Sequence, residues 1–270
     1  MRRMNPLAAA ETLPVLYQDA HLVAVHKPSG LLVHRTGIDR HETRFAVQIV
    51  REQTGRFVFP VHRLDKGTSG VLVFAFDAET ARTLGTAFES GAVQKRYLAV
   101  VRGIPPESGC IDHALTRLRD DYAEGRADPA PQRAVTTFRR LAAWELPHRV
   151  DRYPTSRYAL MELEPLTGRR HQLRRHMKHI AHPIIGDATY GKGAHNRLFQ
   201  SLFDSRRLLL ACTGMTCNHP ASGALLSIEA PLAAEFAALI ETLASASVGS
   251  GAVGPESLPT DSRARPFLPP

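Results

Sequence analysis

In VHRLDKGTSGVLVFAF, residues 61–76, an arginine and an aspartate stand among apolar side chains beside a Gly67-Thr68-Ser69-Gly70 turn, just where a core strand is about to begin. One reading makes Asp65 a turn residue whose carboxylate bonds the amides of Gly67 or Thr68. A phosphate-cradling loop is a poorer match, because no G-K-[ST] follows and the strand comes after the turn. The third reading is chemical: an aspartate held between a polar turn and a strand serves as nucleophile or base if a cation keeps it ionised. Arg63 and Arg174 are candidate cations, and QKRYLAVV places a tyrosine, Tyr97, on a strand from which its hydroxyl can reach the same cleft.

The second chemistry-bearing stretch is LTGRRHQLRRHMKHIAHP, residues 166–183, which contains no acidic residue. On a helix, Leu173, Met177 and Ile180 form one stripe and His171, Arg175 and Lys178 the nearly opposite one, with Arg174 on the border. Arg174 is thus expected to point sideways into a cleft while its neighbours offer cations to phosphates, or else simply form a solvated basic face. His171, His176, His179 and His182 match no H-E-x-x-H spacing and have no carboxylate nearby, so no metal site is expected.

The elements that must position these groups are legible from pattern. PVLYQDAHLVAVHKPSG reads as two strands and a turn, and VLVFAF as a buried strand. TRFAVQIVREQTG and DAETARTLGTAFESG read as helices, the second with Asp77 as N-cap and Gly91 just past its end. Strands are expected at VQKRYLAVVRG, AVTTFRRLAAW, RYALMELEPL, LLLACTGMTC and ALLSIEA, and a last amphipathic helix at LAAEFAALIETLAS. Strands outnumber helices and are joined mainly by turns, which predicts an α+β fold around a mixed, largely antiparallel sheet. Residues 104–133, rich in proline, glycine and charge, are expected to be a long functional or mobile loop. Residues 1–12 read as a mobile lead and 246–270, rich in Gly, Ser and Pro, as a disordered tail, leaving a catalytic domain over 13–245.

The 270 residues are 43% hydrophobic, enough for one sizeable core, and the formal charge of +8 with a pI of about 9.8 favours a polyanionic partner, most often nucleic acid. Three cysteines without C-x-x-C spacing argue against a disulfide framework and fit a reducing cytoplasm. No apolar run reaches the roughly 18 residues of a membrane span.

Together these stretches resemble the RluA-type pseudouridine synthases. VHRLDKGTSGVLVFAF is similar to the family's H-R-L-D…T-S-G signature and LVAVHKPSGLLVH to its K-P-x-G segment. QKRYLAVVRG resembles the tyrosine-bearing strand, and PLTGRRHQLRRHMKHIAHPIIGD the T-G-R-x-H-Q-[IL]-R block with H-P-I-x-G-D after it, all in the family's order. His26 stands where many relatives have asparagine. The resemblance implies an RNA uridine isomerase without cofactor or metal, with a central catalytic cleft in a pseudouridine-synthase-type sheet. It implies Asp65, Tyr97 and Arg174 as the catalytic set and Arg63 as the residue that helps displace the target base. His62, Arg169, Arg170, His171, Arg175 and Lys178 complete the expected RNA-facing set. HRTGIDRHET, RYPTSRYALMELEPL and the expected absence of an N-terminal S4-type RNA-binding domain are most similar to members that modify transfer RNA, implying uridine 65 of tRNA as target. A ribosomal RNA target within the same family, a non-catalytic RNA-binding module and a hydrolytic ribonuclease are the alternatives. No obligate protein partner is implied, and a monomer is expected.

Overall fold

A computed structural model of the chain describes residues 11–35, 42–118 and 130–247. The expected mobile lead falls outside the described residues up to position 10, and the expected disordered tail from position 248. In chain order the elements are β1 Val15–Gln18, β2 Leu22–Lys27, α1 Ala46–Thr54, β3 Phe59–Pro60, β4 Ser69–Ala75, α2 Ala78–Ser90, β5 Gln94–Arg102 and β6 Ser108–Asp112. They continue with β7 Val135–Leu146, β8 Ser156–Pro165, α3 Gln172–His179, α4 Gly193–Phe203, β9 Leu210–Asn218, β10 Leu225–Glu229 and α5 Ala234–Ala246.

Local chemistry accounts for the element ends. The Asp19 carboxylate accepts from the amides of His21 (2.7 Å) and Leu22 (2.9 Å) and so closes the β1–β2 turn. Asp77 caps α2 by accepting from the Thr80 amide at 2.8 Å, and α1 and α2 stop at Gly55 and Gly91 in the left-handed conformation that glycine adopts without strain.

The strands form one ten-stranded sheet in the order β1-β2-β4-β9-β5-β8-β7-β6, with β3 added to β4 and β10 to β9. All pairings are antiparallel except β4 with β9, which run parallel through only Ser69↔Ala211 and Gly70↔Cys212. At that seam only glycine fits: a Cβ on Gly70 would lie 1.9 Å from the Cys212 carbonyl oxygen, and its φ is +113°. The T-S-G run therefore lets the turn carrying Asp65 enter the centre of the sheet.

Alternation along β5 divides the core. Leu98 and Val100 pack into a cluster with Phe199, Phe236 and Leu239 of α4 and α5, whereas Ala99 and Val101 pack on the other face with Leu173 and Met177 of α3. β2, β4, α1 and α2 share a further cluster to which Leu64 belongs, so the residue before Asp65 is anchored in the core.

Two features depart from the sequence expectation. Residues 104–133 are not loop throughout, since β6 pairs with β7 as an edge strand and Leu115 bridges Gln132. Its five residues, SGCID, have too little apolar alternation to signal a strand, and the partner supplies the pairing. α4 follows the glycine-rich YGKG, which masked the helical spacing of Ala194, Leu198 and Phe199.

Candidate active site

The Asp65 turn is held from three sides. Within it the Thr68 amide donates to the Asp65 carbonyl at 3.0 Å. From the Lys27-Pro28-Ser29-Gly30 turn, the Gly30 amide donates to Lys66 O (2.8 Å), Ser29 Oγ to Gly67 O (2.7 Å), and Lys27 Nζ to Lys66 O (3.2 Å) and Leu31 O (2.6 Å). Burial pushes the Lys27 pKa down to about 7, although the Asp65 charge opposes it. From below, Arg207 donates to Ser69 Oγ at 2.6 Å while pairing with Glu235 of α5. The K-P-x-G and T-S-G stretches belong together because one turn is stapled onto the other.

These restraints leave the Asp65 carboxylate to face Arg174, whose Nη1 donates to Asp65 Oδ2 at 3.0 Å. The rest of the guanidinium grips Asp187 in a two-pronged pair, Nε to Oδ2 at 2.7 Å and Nη2 to Oδ1 at 2.9 Å. Side-chain exposure falls along this chain, from 19% for Asp65 through 11% for Arg174 to 0% for Asp187. Burial alone would lower the Arg174 pKa, but the bonds to Asp187 and the charge of Asp65 raise it above its ordinary value. Burial would likewise raise Asp187, but Arg174 and the amides of Tyr190 and Thr189 hold it below the usual aspartate value.

Asp187 was not among the residues expected at the site; its signal was the H-P-I-x-G-D stretch, read only as part of a resemblance. Its loop is clamped from α4, where Asn196 Oδ1 accepts from the Gly186 amide (2.9 Å) and Asn196 Nδ2 donates to the Asp187 carbonyl (3.0 Å). Asn196→Ala is expected to cost about 1–3 kcal/mol of stability, the penalty for leaving buried amide and carbonyl groups unpaired. A urea midpoint equal to that of the unsubstituted protein would show that this clamp is dispensable.

Tyr97 projects from β5 into the same cleft. Burial, the Cys212 thiol and the Asp65 charge all push its pKa well above its ordinary value, so it stands as a neutral phenol. His171 is not on the helix face expected for it, because α3 begins one residue later. His171 instead takes a left-handed backbone (φ 56°) and turns its ring inward. Its Nε2 lies 3.8 Å from Asp65 Oδ1 and its Nδ1 3.1 Å from the Tyr190 hydroxyl. Burial lowers its pKa despite the neighbouring Asp65, so it is uncharged at neutral pH.

His62, expected as an RNA contact, lines the same cleft. Its Nε2 accepts from the Val73 amide at 3.0 Å and its ring stacks on Phe88 at 4.6 Å; burial and Lys95 push its pKa down to about 3. It is a neutral piece of cleft wall, since a cation there would lose both its solvation and its acceptor role. Arg63 lies exposed in the cleft lining. Arg169 donates to the Arg133 carbonyl (3.1 Å), and Arg175 donates to both Thr116 O (2.9 Å) and Thr116 Oγ1 (3.1 Å). Lys178 lies 5.7 Å from the Tyr190 ring centre, on its face.

The cleft has a volume of about 770 Å³, and Asp65, Tyr97 and Arg174 all line it. Arg63, Lys95, Arg117, Arg133, Arg169, Arg170 and Arg175 also line it, against Asp65 and Glu89 as the acids, so its field attracts a polyanion. Among the described residues no group of three or more His, Cys, Asp or Glu could hold a metal ion, and no helix is long and apolar enough to cross a membrane.

A sequence model of the RNA pseudouridylate synthase family matches residues 21–179. The chain is 52% identical over 229 residues to a tRNA pseudouridine synthase C of Pectobacterium carotovorum, a match covering 84% of this chain and 61% of that protein. It is 47% identical over 222 residues to the tRNA pseudouridine synthase C of Vibrio parahaemolyticus, covering 82% of this chain and 90% of that one. Among solved structures, the human RNA pseudouridylate synthase domain containing 4 superposes with a TM-score of 0.64 at 26% identity, covering 85% of this chain and 92% of its own.

Proposed function

The chain belongs to the RNA pseudouridylate synthase family, and from that premise we propose that it isomerises a uridine of transfer RNA, at position 65, to pseudouridine. The observation that carries this reading is the Asp65–Arg174–Asp187 network at the floor of a cleft rimmed with arginine. Pseudouridine formation breaks the bond from uracil N1 to ribose C1′, turns the base and remakes the link through C5. It conserves redox state and adds no group, so the proposal requires no cofactor or metal. We place the reaction in the cytoplasm, with a monomeric protein.

Asp65 is the reactive group in this scheme. Arg174 pairs with it and orients it, and the carboxylate engages the ribose or the ring and then leaves. The target lies in folded RNA and must be flipped out at a cost of a few kcal/mol; Arg63, exposed at the cleft, is suited to fill the gap. Tyr97 supplies a ring on which the uracil stacks. As a neutral phenol it donates a hydrogen bond more readily than it accepts the C5 proton.

Incubating the purified protein with unmodified tRNA and with ribosomal RNA, and mapping pseudouridine in each, tests the reading. Modification at tRNA position 65 is the expected result. Modification of ribosomal RNA alone would move the enzyme to another target, and none in either would remove the activity.

The basic residues of α3 give a further expectation. Lys178→Ala and Arg175→Ala should each weaken RNA binding and flatten its salt dependence, by about one unit of slope for every phosphate that the side chain neutralises. If Arg175→Ala leaves the slope unchanged and lowers the urea midpoint, its work is to hold Thr116 rather than RNA.

A further inference from the structure

We propose that Lys95 is a further catalytic residue, whose ammonium takes up the negative charge that the uracil ring acquires when its bond to the ribose opens. The proposal rests on the isomerisation proposed above. Lys95 and Tyr97 are two residues apart on β5, so their side chains share a face, and both line the cleft. Arg96 between them turns the other way and pairs with Glu229 at 2.8 Å. Beside β5 in the sheet, β9 carries an extra residue between Gly214 and Cys212, a bulge of the kind that re-aims side chains.

Several neighbouring cations have their donors engaged: Arg174 by Asp65 and Asp187, Arg175 by Thr116, Arg169 by the Arg133 carbonyl. Lys95 forms no side-chain hydrogen bond or ion pair with the described residues. It is half-buried, whereas Arg117, Arg133 and Arg169, which line the same cleft, are exposed. Exposed arginines suit the backbone phosphates, which stay at the rim when a nucleotide flips in. An ammonium beside Tyr97 meets the base instead. Burial lowers the Lys95 pKa, as expected for a cation that lacks its counter-charge until substrate arrives.

When N1–C1′ breaks, the electron pair stays on uracil and is shared among N1, O2 and O4, leaving C1′ electron-poor beside the Asp65 carboxylate. Lys95 donates to a ring oxygen and holds this charge while the base turns. The ring then bonds C1′ through C5, and the net proton movement is from C5 to N1. A cation fixed where charge develops lowers the barrier without reorganisation at the moment of reaction.

Single-turnover rates at saturating tRNA, RNA affinity at several salt concentrations and urea unfolding, for Lys95→Met and Lys95→Arg, provide the test. Lys95→Met is expected to slow the reaction by about 100-fold, the scale for removing one such donor, with affinity and salt slope retained. Lys95→Arg should recover most of the rate. The wild-type rate should fall on an alkaline limb below the ordinary lysine range, and Lys95→Arg should lack that limb. A wild-type rate in Lys95→Met, with or without a salt slope lowered by about one, overturns the inference; the lowered slope would mean that Lys95 binds a phosphate. A wild-type protein that forms no pseudouridine in any RNA overturns the isomerase reading, and this inference with it.

Discussion

Asp65→Asn is expected to abolish pseudouridine formation, by a factor on the order of 10⁴ or more, which is the scale on which removing a nucleophile acts. The substitution keeps the shape of the side chain and removes only the charge. The turn should survive, because the Thr68 amide, Gly30, Ser29 and Lys27 grip main-chain oxygens of Asp65, Lys66 and Gly67 rather than the carboxylate. Arg174 keeps its two-pronged pair with Asp187 and loses one charged hydrogen bond. Tritium release from uridine-labelled tRNA measures the activity, and circular dichroism with urea unfolding measures the fold. Substantial activity in this variant, with contaminating enzyme excluded, would take Asp65 out of the mechanism.

The central strands and most helices were legible because each carries its own signal. VLVFAF is apolar throughout because β4 is buried on both faces, and Asp77 and Gly91 bracket α2 with a side-chain cap and a left-handed residue. β6 and α4 were not legible, since pairing with β7 and packing of Phe199 against Tyr158 are tertiary facts. The same division holds at the site. The border position of Arg174 follows from helical spacing, and the structure directs its guanidinium to Asp65. His171 was misplaced because helical spacing was extended one residue past the true start of α3, where the backbone turns left-handed. Asp187 could not be singled out, because its importance lies in what it touches 13 residues back along the chain. Lys95 was hidden among the many basic residues of a chain with formal charge +8, and the strand face it shares with Tyr97, its half-burial and its lack of a side-chain partner among the described residues set it apart.

Arg174→Met should be the most destabilising change at the site, because Arg174 is bonded to both Asp65 and Asp187. Its removal leaves Asp187, fully buried, without that counter-charge, and breaking such a pair costs about 3–5 kcal/mol. The chain can recover part of this by protonating a carboxylate, since burial raises the pKa once the cation is gone. That fixes the sign of the pH dependence. In the wild type the Asp187 pKa is depressed, so its contribution to stability is present above the unfolded aspartate value of 3.8 and is lost as pH falls through the folded value. In Arg174→Met the folded value is raised, and that variant regains stability on acidification. The stability gap between the two should therefore narrow from neutral to mildly acidic pH, as urea unfolding would measure. Arg174→Lys restores one charge but cannot span Asp187 with two prongs and reach Asp65 with a third, so it should be intermediate in stability and rate. Single-turnover rates should fall by about 10³-fold for Arg174→Met, the upper range for removing one preorganised donor. An unchanged rate in Arg174→Met would mean that Asp65 does not need its cation, and a gap that widens on acidification would mean that Asp187 does not titrate as this network requires.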